Sequence, residues 1–142
     1  LDLSPYEVLI LASMVEKETA KAIERPLIAG VFLNRLKKGM RMQSDPTVVY
    51  GVENYSGKIT RTHLRTPTPY NTYTLKRLPI GPISNPGKAA LMAVLQPTES
   101  KFYYFVSQND GSHKFSKTLR EHNRAVNKYQ RVKKKQATEN SG

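Results

Sequence analysis

At 142 residues with a formal net charge of +12 and no cysteine, the chain is long enough for one domain with its own core, and it can carry neither a disulfide framework nor a cysteine-based zinc site. No apolar run reaches the length of about eighteen residues that a membrane span needs, and no signal-peptide pattern precedes the first helix. The excess of Lys and Arg, much of it between Arg120 and Lys135, predicts attraction to polyanions such as nucleic acid, anionic lipid or acidic wall polymers.

Ser4 and Glu7 form a capping box, and Pro5 fills the first helical position, where its missing N–H costs nothing. From Val8 to Val15 every residue but Ser13 is apolar, so this first helix is expected to be buried on nearly all sides. Its C-terminal end carries two carboxylates, Glu16 and Glu18, where the helix dipole favours cations. That placement points to a site rather than to a cap. Behind Glu18 on its helical face lie Val15, Met14 and Leu11; behind Glu16 lie Ser13, Ala12 and Leu9. Glu18 has the drier setting, which raises a carboxyl pKa toward the range a general acid needs. Glu18 is therefore the first candidate acid and Glu16 the second, against the plainer reading that both are solvated.

Glu24-Arg25-Pro26 restarts a helix in which Ile28, Val31, Phe32 and Leu36 recur at helical spacing, with Gly39 just beyond its end. Asn34 and Arg35 fall on its polar side and predict surface roles. In the polar loop Arg41–Thr47, Ser44 or Asp45 caps a short helix that begins at Pro46 and stops at Gly51. The same loop offers paired donors and acceptors suited to sugar hydroxyls.

Between Glu53 and Pro86 regular periodicity is lost, while Tyr55, Tyr70 and Tyr73 interleave with prolines. Such a segment reads as an ordered loop lining a groove, or as a rigid structural loop with tyrosines as packing. A phenol ring packs on the apolar face of a sugar, and amides bond its edges. A further helix follows, capped by Asn85 and ended by Pro97. Phe102–Ser107 and His113–Ser116 make a hairpin around Asn109-Asp110-Gly111, and Lys117 to Val132 forms a last helix with Leu119, Val126 and Tyr129 inward. Residues 133–142 read as a basic disordered tail. His113 and His122 lack the tight spacing of a metal motif, and no phosphate loop or nucleophile elbow occurs.

Several blocks together resemble one family. They are Leu11–Thr19, Glu24-Arg25, Val31–Leu36, Gly39–Thr47, Tyr70–Tyr73, Leu78–Ile83, His113–Phe115 and Glu121–Asn123. In this order they are similar to the catalytic domain of the endolytic murein transglycosylases (MltG, YceG-like). The resemblance implies an enzyme held by an N-terminal membrane anchor at the periplasmic face of the bacterial inner membrane. This chain, which opens on Leu1, looks like the excised catalytic domain, residues 1–132.

The implied reaction cleaves the bond between N-acetylmuramic acid and N-acetylglucosamine within nascent glycan strands. Glu18 acts as acid and then as base, leaving 1,6-anhydro-muramic ends. No cofactor or metal is implied, and no nucleic acid. The partners are peptidoglycan glycan strands and, beyond them, wall-synthesis proteins. Gln43, Asp45, Tyr70, Asn71 and Tyr73 are candidate substrate contacts, and Glu16 is a candidate for positioning sugar or raising the Glu18 pKa by repulsion. A hydrolytic muramidase and a non-catalytic polyanion-binding module are the alternatives. The fold expected is α+β, helix-rich, with a β-hairpin, long ordered loops and lysozyme-like character around the catalytic helix.

Overall fold

A computed structural model describes the backbone of residues 2–141 and the side chains of residues 2–131. Helix α1 spans Pro5–Glu18 and opens on the capping box: Ser4 Oγ accepts from Glu7 N–H, and Glu7 Oε1 accepts from Ser4 N–H. Its centre, Ile10 to Val15, is buried throughout. The polar interruption in this stretch, Ser13, has a use. Its hydroxyl donates to Ile10 C=O at 2.5 Å and accepts from Ile83 N–H at 3.0 Å, while its carbonyl accepts from the Ser84 hydroxyl. The proline-rich loop is thereby fastened along the helix.

After a short 3-10 turn, Ala22–Glu24, helix α2 runs Arg25–Lys38 and ends in Gly39, whose φ of 76° is the left-handed conformation that glycine adopts freely. Helix α5, Lys88–Leu95, packs on both α1 and α2, and the three bury a core that includes Leu11, Met14, Ile28, Phe32, Ala90 and Val94. Gly30 lets the chain past α2 approach closely: a Cβ there would stand 2.4 Å from the Thr98 carbonyl oxygen. The α5 cap falls on Gly87 rather than on the expected Asn85.

Two short helices occupy the segment that lacked periodicity or was read only in part. Helix α3 spans Asp45–Tyr50, and α4 spans Arg61–Arg65. The start of α4 is a capping box with His63 in the place normally held by Glu or Gln: Thr60 Oγ1 accepts from His63 N–H, and His63 Nδ1 accepts from Thr60 N–H. Strands β1, Tyr104–Ser107, and β2, His113–Ser116, pair antiparallel with Phe105 opposite Phe115. Phe105 meets Phe32 edge-on at 5.7 Å, joining the hairpin to the core.

Helix α6, Leu119–Ser141, packs across the hairpin. Its inward residue is Ala125, with Val126 and Tyr129 partly covered, whereas Leu119 is exposed. The expected disordered tail, 133–142, lies outside the residues whose side chains are described. Its backbone continues α6 to Ser141, since Lys, Gln and Ala extend a helix already nucleated upstream. The architecture is α+β and helix-rich, with one two-stranded sheet among the described residues. None of its described helices is long and apolar enough to cross a membrane.

Candidate active site

A cavity of about 550 Å³ opens between the end of α1, the loop after α2, the hairpin and α6. Glu18, the last residue of α1, lines it. The carboxyl is partly buried and takes a hydrogen bond at 2.7 Å from the hydroxyl of Ser44. Burial holds its pKa above the ordinary carboxylate value. The Ser44 hydrogen bond works against this, the Asp45 charge adds to it, and His113 opposes it.

The loop before α3 is stitched to residues 71–73. Ser44 N–H donates to Thr72 Oγ1 at 2.9 Å, the Thr47 and Thr72 hydroxyls meet at 2.8 Å, Thr72 N–H donates to Thr47 Oγ1, and Gln43 N–H donates to Thr72 C=O. Ser44 is thus at the cap position of α3, yet its hydroxyl serves Glu18 instead of the helix. Asp45 and Tyr73, brought together by the same stitching, meet through a hydrogen bond of 2.5 Å from the Tyr73 hydroxyl to Asp45 Oδ1. Burial first, then that bond, keep the phenol pKa above its usual value, so Tyr73 stays a neutral donor. Gln43 also faces the cavity and holds a φ of 50°, a left-handed backbone uncommon for a residue with a side chain.

The opposite wall contains Arg35, His113 and His122. Arg35 is 7% exposed rather than on the surface; Nε donates to Tyr103 C=O, and Nη1 donates to Arg41 C=O, each at 2.6 Å. Burial works against its charge, so these two carbonyls and the Tyr104 ring beneath it at 4.9 Å are what hold the cation. His113 is gripped twice by Glu24: Oε2 accepts from its N–H, and Oε1 lies 2.9 Å from its Nδ1. His122 stacks on Tyr104, and burial, followed by the Arg35 charge, pushes its pKa below the usual imidazole value.

Of the residues singled out from sequence, Glu18, Gln43, Asp45 and Tyr73 gather in this cavity. Glu16, Tyr70 and Asn71 are elsewhere. Glu16 Oε1 accepts from Gly87 N–H at 2.7 Å, at the start of α5. Tyr70 packs against the core and meets Tyr50 edge-on at 4.6 Å. Asn71, fully buried, donates Nδ2 to the carbonyls of His63, Leu64 and Thr66 at the end of α4 and accepts from Tyr73 N–H through Oδ1. Sequence reasoning missed the cavity roles of Ser44 and Arg35. For Arg35 a signal existed, because Val31 and Phe32, four and three positions back, put it on the apolar face of α2. For Ser44 there was none, its partner being 26 residues away. Among the described residues, no three His, Asp or Glu side chains converge as a metal site would require.

Three comparisons bear on this arrangement. The endolytic murein transglycosylase of Bacillus subtilis (strain 168) is 40% identical over 126 residues, covering 89% of this chain and 35% of that protein. The Streptococcus pneumoniae (strain D39) protein of the same name is 34% identical over 131 residues, 88% of this chain and 24% of its own length. The chain therefore spans about a third or less of the curated relatives it matches. The crystal structure of a yceG-like protein from Listeria monocytogenes superposes with a TM-score of 0.78 at 43% identity, covering 86% of this chain and 39% of that one. With the YceG-like family model matching residues 1–128, the chain belongs to the YceG-like family.

Proposed function

We propose that this domain is a peptidoglycan lytic transglycosylase that cuts glycan strands internally, with Glu18 as the acid and then the base. The observation that carries this reading is a partly buried carboxyl, held above its ordinary pKa, on the wall of a cavity lined with sugar-matching polar groups. The relatives' names, endolytic murein transglycosylase, support the substrate class.

Protonated Glu18 gives its proton to the oxygen linking N-acetylmuramic acid to N-acetylglucosamine, and the bond from that oxygen to the muramic anomeric carbon breaks. Ser44 holds the carboxylate that remains through its hydroxyl donor. The muramic C6 hydroxyl attacks its own anomeric carbon, and its proton passes to Glu18, which returns to the acid form. The product is a 1,6-anhydro-muramic end, and the two proton transfers balance. Because the nucleophile is part of the substrate, its effective concentration is high, and one carboxyl suffices where ordinary glycosidases need two. Gln43, Asp45 and Tyr73 contact the sugar around the scissile bond, and Asp45 also keeps Glu18 protonated. Murein lies outside the cytoplasmic membrane, so the domain works at the periplasmic face of that membrane.

The test is incubation of the domain and its Glu18→Gln variant with purified peptidoglycan, with product ends read by mass spectrometry. Anhydro-muramic ends from the parent and none from the variant are expected. Reducing ends would overturn the lyase reading in favour of a hydrolase using Asp45 as its second carboxylate. Absence of cleavage by the parent would leave a binding module.

A further inference from the structure

On the other side of the hairpin from Phe105 and Phe115, a second pocket of about 290 Å³ lies between β2 and α6. Alternation along β2 puts Lys114 and Ser116 on one face, His113 and Phe115 on the other. Lys114 and Ser116 line this pocket together with Arg124 and Lys128, one helical turn apart on α6. None of the three cations is ion-paired with a described carboxylate. The acidic member of the lining, Glu121, spends Oε2 on Lys117 N–H. Ser116 is the telling residue. It is 1% exposed, and among the described residues its hydroxyl has no hydrogen-bond partner. A buried hydroxyl left unpaired costs stability, and here three cations surround the space that it lines.

We propose that this pocket binds a carboxylate of the peptide borne by the glycan substrate, with Ser116 donating a hydrogen bond and Lys114, Arg124 and Lys128 supplying charge. The inference rests on the murein reading above. Tyr129 lines both this pocket and the catalytic cavity, so an anionic branch on a strand lying in one reaches the other. The lactyl carboxyl of each peptide-bearing N-acetylmuramic acid is taken up in the amide to that peptide, so the free carboxylates of such a strand are those of the peptide. The pocket thus distinguishes free-acid peptides from amidated ones.

The test is NMR titration of the isotope-labelled 142-residue chain with an N-acetylmuramoyl peptide, which has no glycosidic bond to cleave. The peptide is offered with free or with amidated carboxylates, and inorganic pyrophosphate is titrated separately. The free-acid peptide is expected to shift the Lys114 and Ser116 amides, and amidation to weaken it about tenfold, as charge-assisted hydrogen bonds are lost. The K114Q/R124Q/K128Q variant, and more modestly Ser116→Ala, should weaken the free acid alone. Ser116→Ala should keep or raise the Tm, since it removes an unpaired hydroxyl. Equal binding of acid and amide, or shifts confined to the cavity around Glu18, would overturn the proposal. Pyrophosphate binding more tightly than the free acid at Ser116 would overturn it in favour of a phosphate ligand. Because the readout contrasts two ligands on one folded protein, failure of the pocket is separable from failure of the cleavage reading, which only the murein digest tests.

Discussion

The two faces of the last turn of α1 carry the same residue type two positions apart and use it in opposite ways. Glu16 turns toward the start of α5, where its Oε1 accepts from the Gly87 N–H at 2.7 Å. Glu18 turns into the cavity, where burial and the charge of Asp45 disfavour its ionised form, and the Ser44 hydroxyl and, less, His113 favour it. What separates the two carboxylates is the neighbouring donors and charges, supplied by segments remote in sequence.

Exchanging charge for amide on each face breaks this contrast most directly. Glu18→Gln is expected to lower turnover of murein about a thousandfold, in the range that loss of a general acid produces, while Glu16→Gln keeps it within about threefold. Stability should move the other way. A carboxyl whose folded pKa is raised contributes stability that is full below its unfolded value and lost as pH climbs through the folded one. The Glu18→Gln protein should therefore match the parent in unfolding free energy at pH 4 and exceed it increasingly toward neutrality, by about 1 kcal/mol. A gap that shrinks as pH rises would refute the assignment.

Smaller effects sharpen the comparison. Asp45→Asn removes a charge that raises the Glu18 pKa, so the alkaline limb of the pH–rate profile should move to lower pH. Ser44→Ala removes the hydrogen bond that lowers it, so the same limb should move to higher pH, with cleavage reduced a few-fold through looser positioning. Opposite displacements in the two variants are the signature; displacement in one direction for both would show that the loop acts on Glu18 only by holding its shape. On the other face, Glu16→Ala should cost about 1 kcal/mol in chemical denaturation and leave the profile where it is.

The elements legible in sequence are those whose causes are local. The Ser4–Glu7 box, the apolar run of α1, the Gly39 stop and the turn at Asn109–Gly111 each use neighbours within a few residues. The drier setting of Glu18 was legible too, because the apolar residues behind it are on its own helix. Less legible was whatever needed a distant partner. Asn71 suits a sugar as well as it suits three helix-end carbonyls, and only the fold of α4 beneath it decides. Helix α4 itself was hidden by a box written with histidine.

Helix α6 rests chiefly on the hairpin, and both stand across the cavity from α1. The carboxyl proposed as the acid thus belongs to the helix packed into the core, and the wall facing it to a thinner layer. Segments with fewer buried contacts open more often without global unfolding. If the proposed internal cleavage of a glycan strand holds, a polymer with no end to thread would enter from this flank. The breathing of that layer, read as amide exchange in β2 and α6 faster than in α1, would then set the ceiling on how quickly a mid-strand bond is captured.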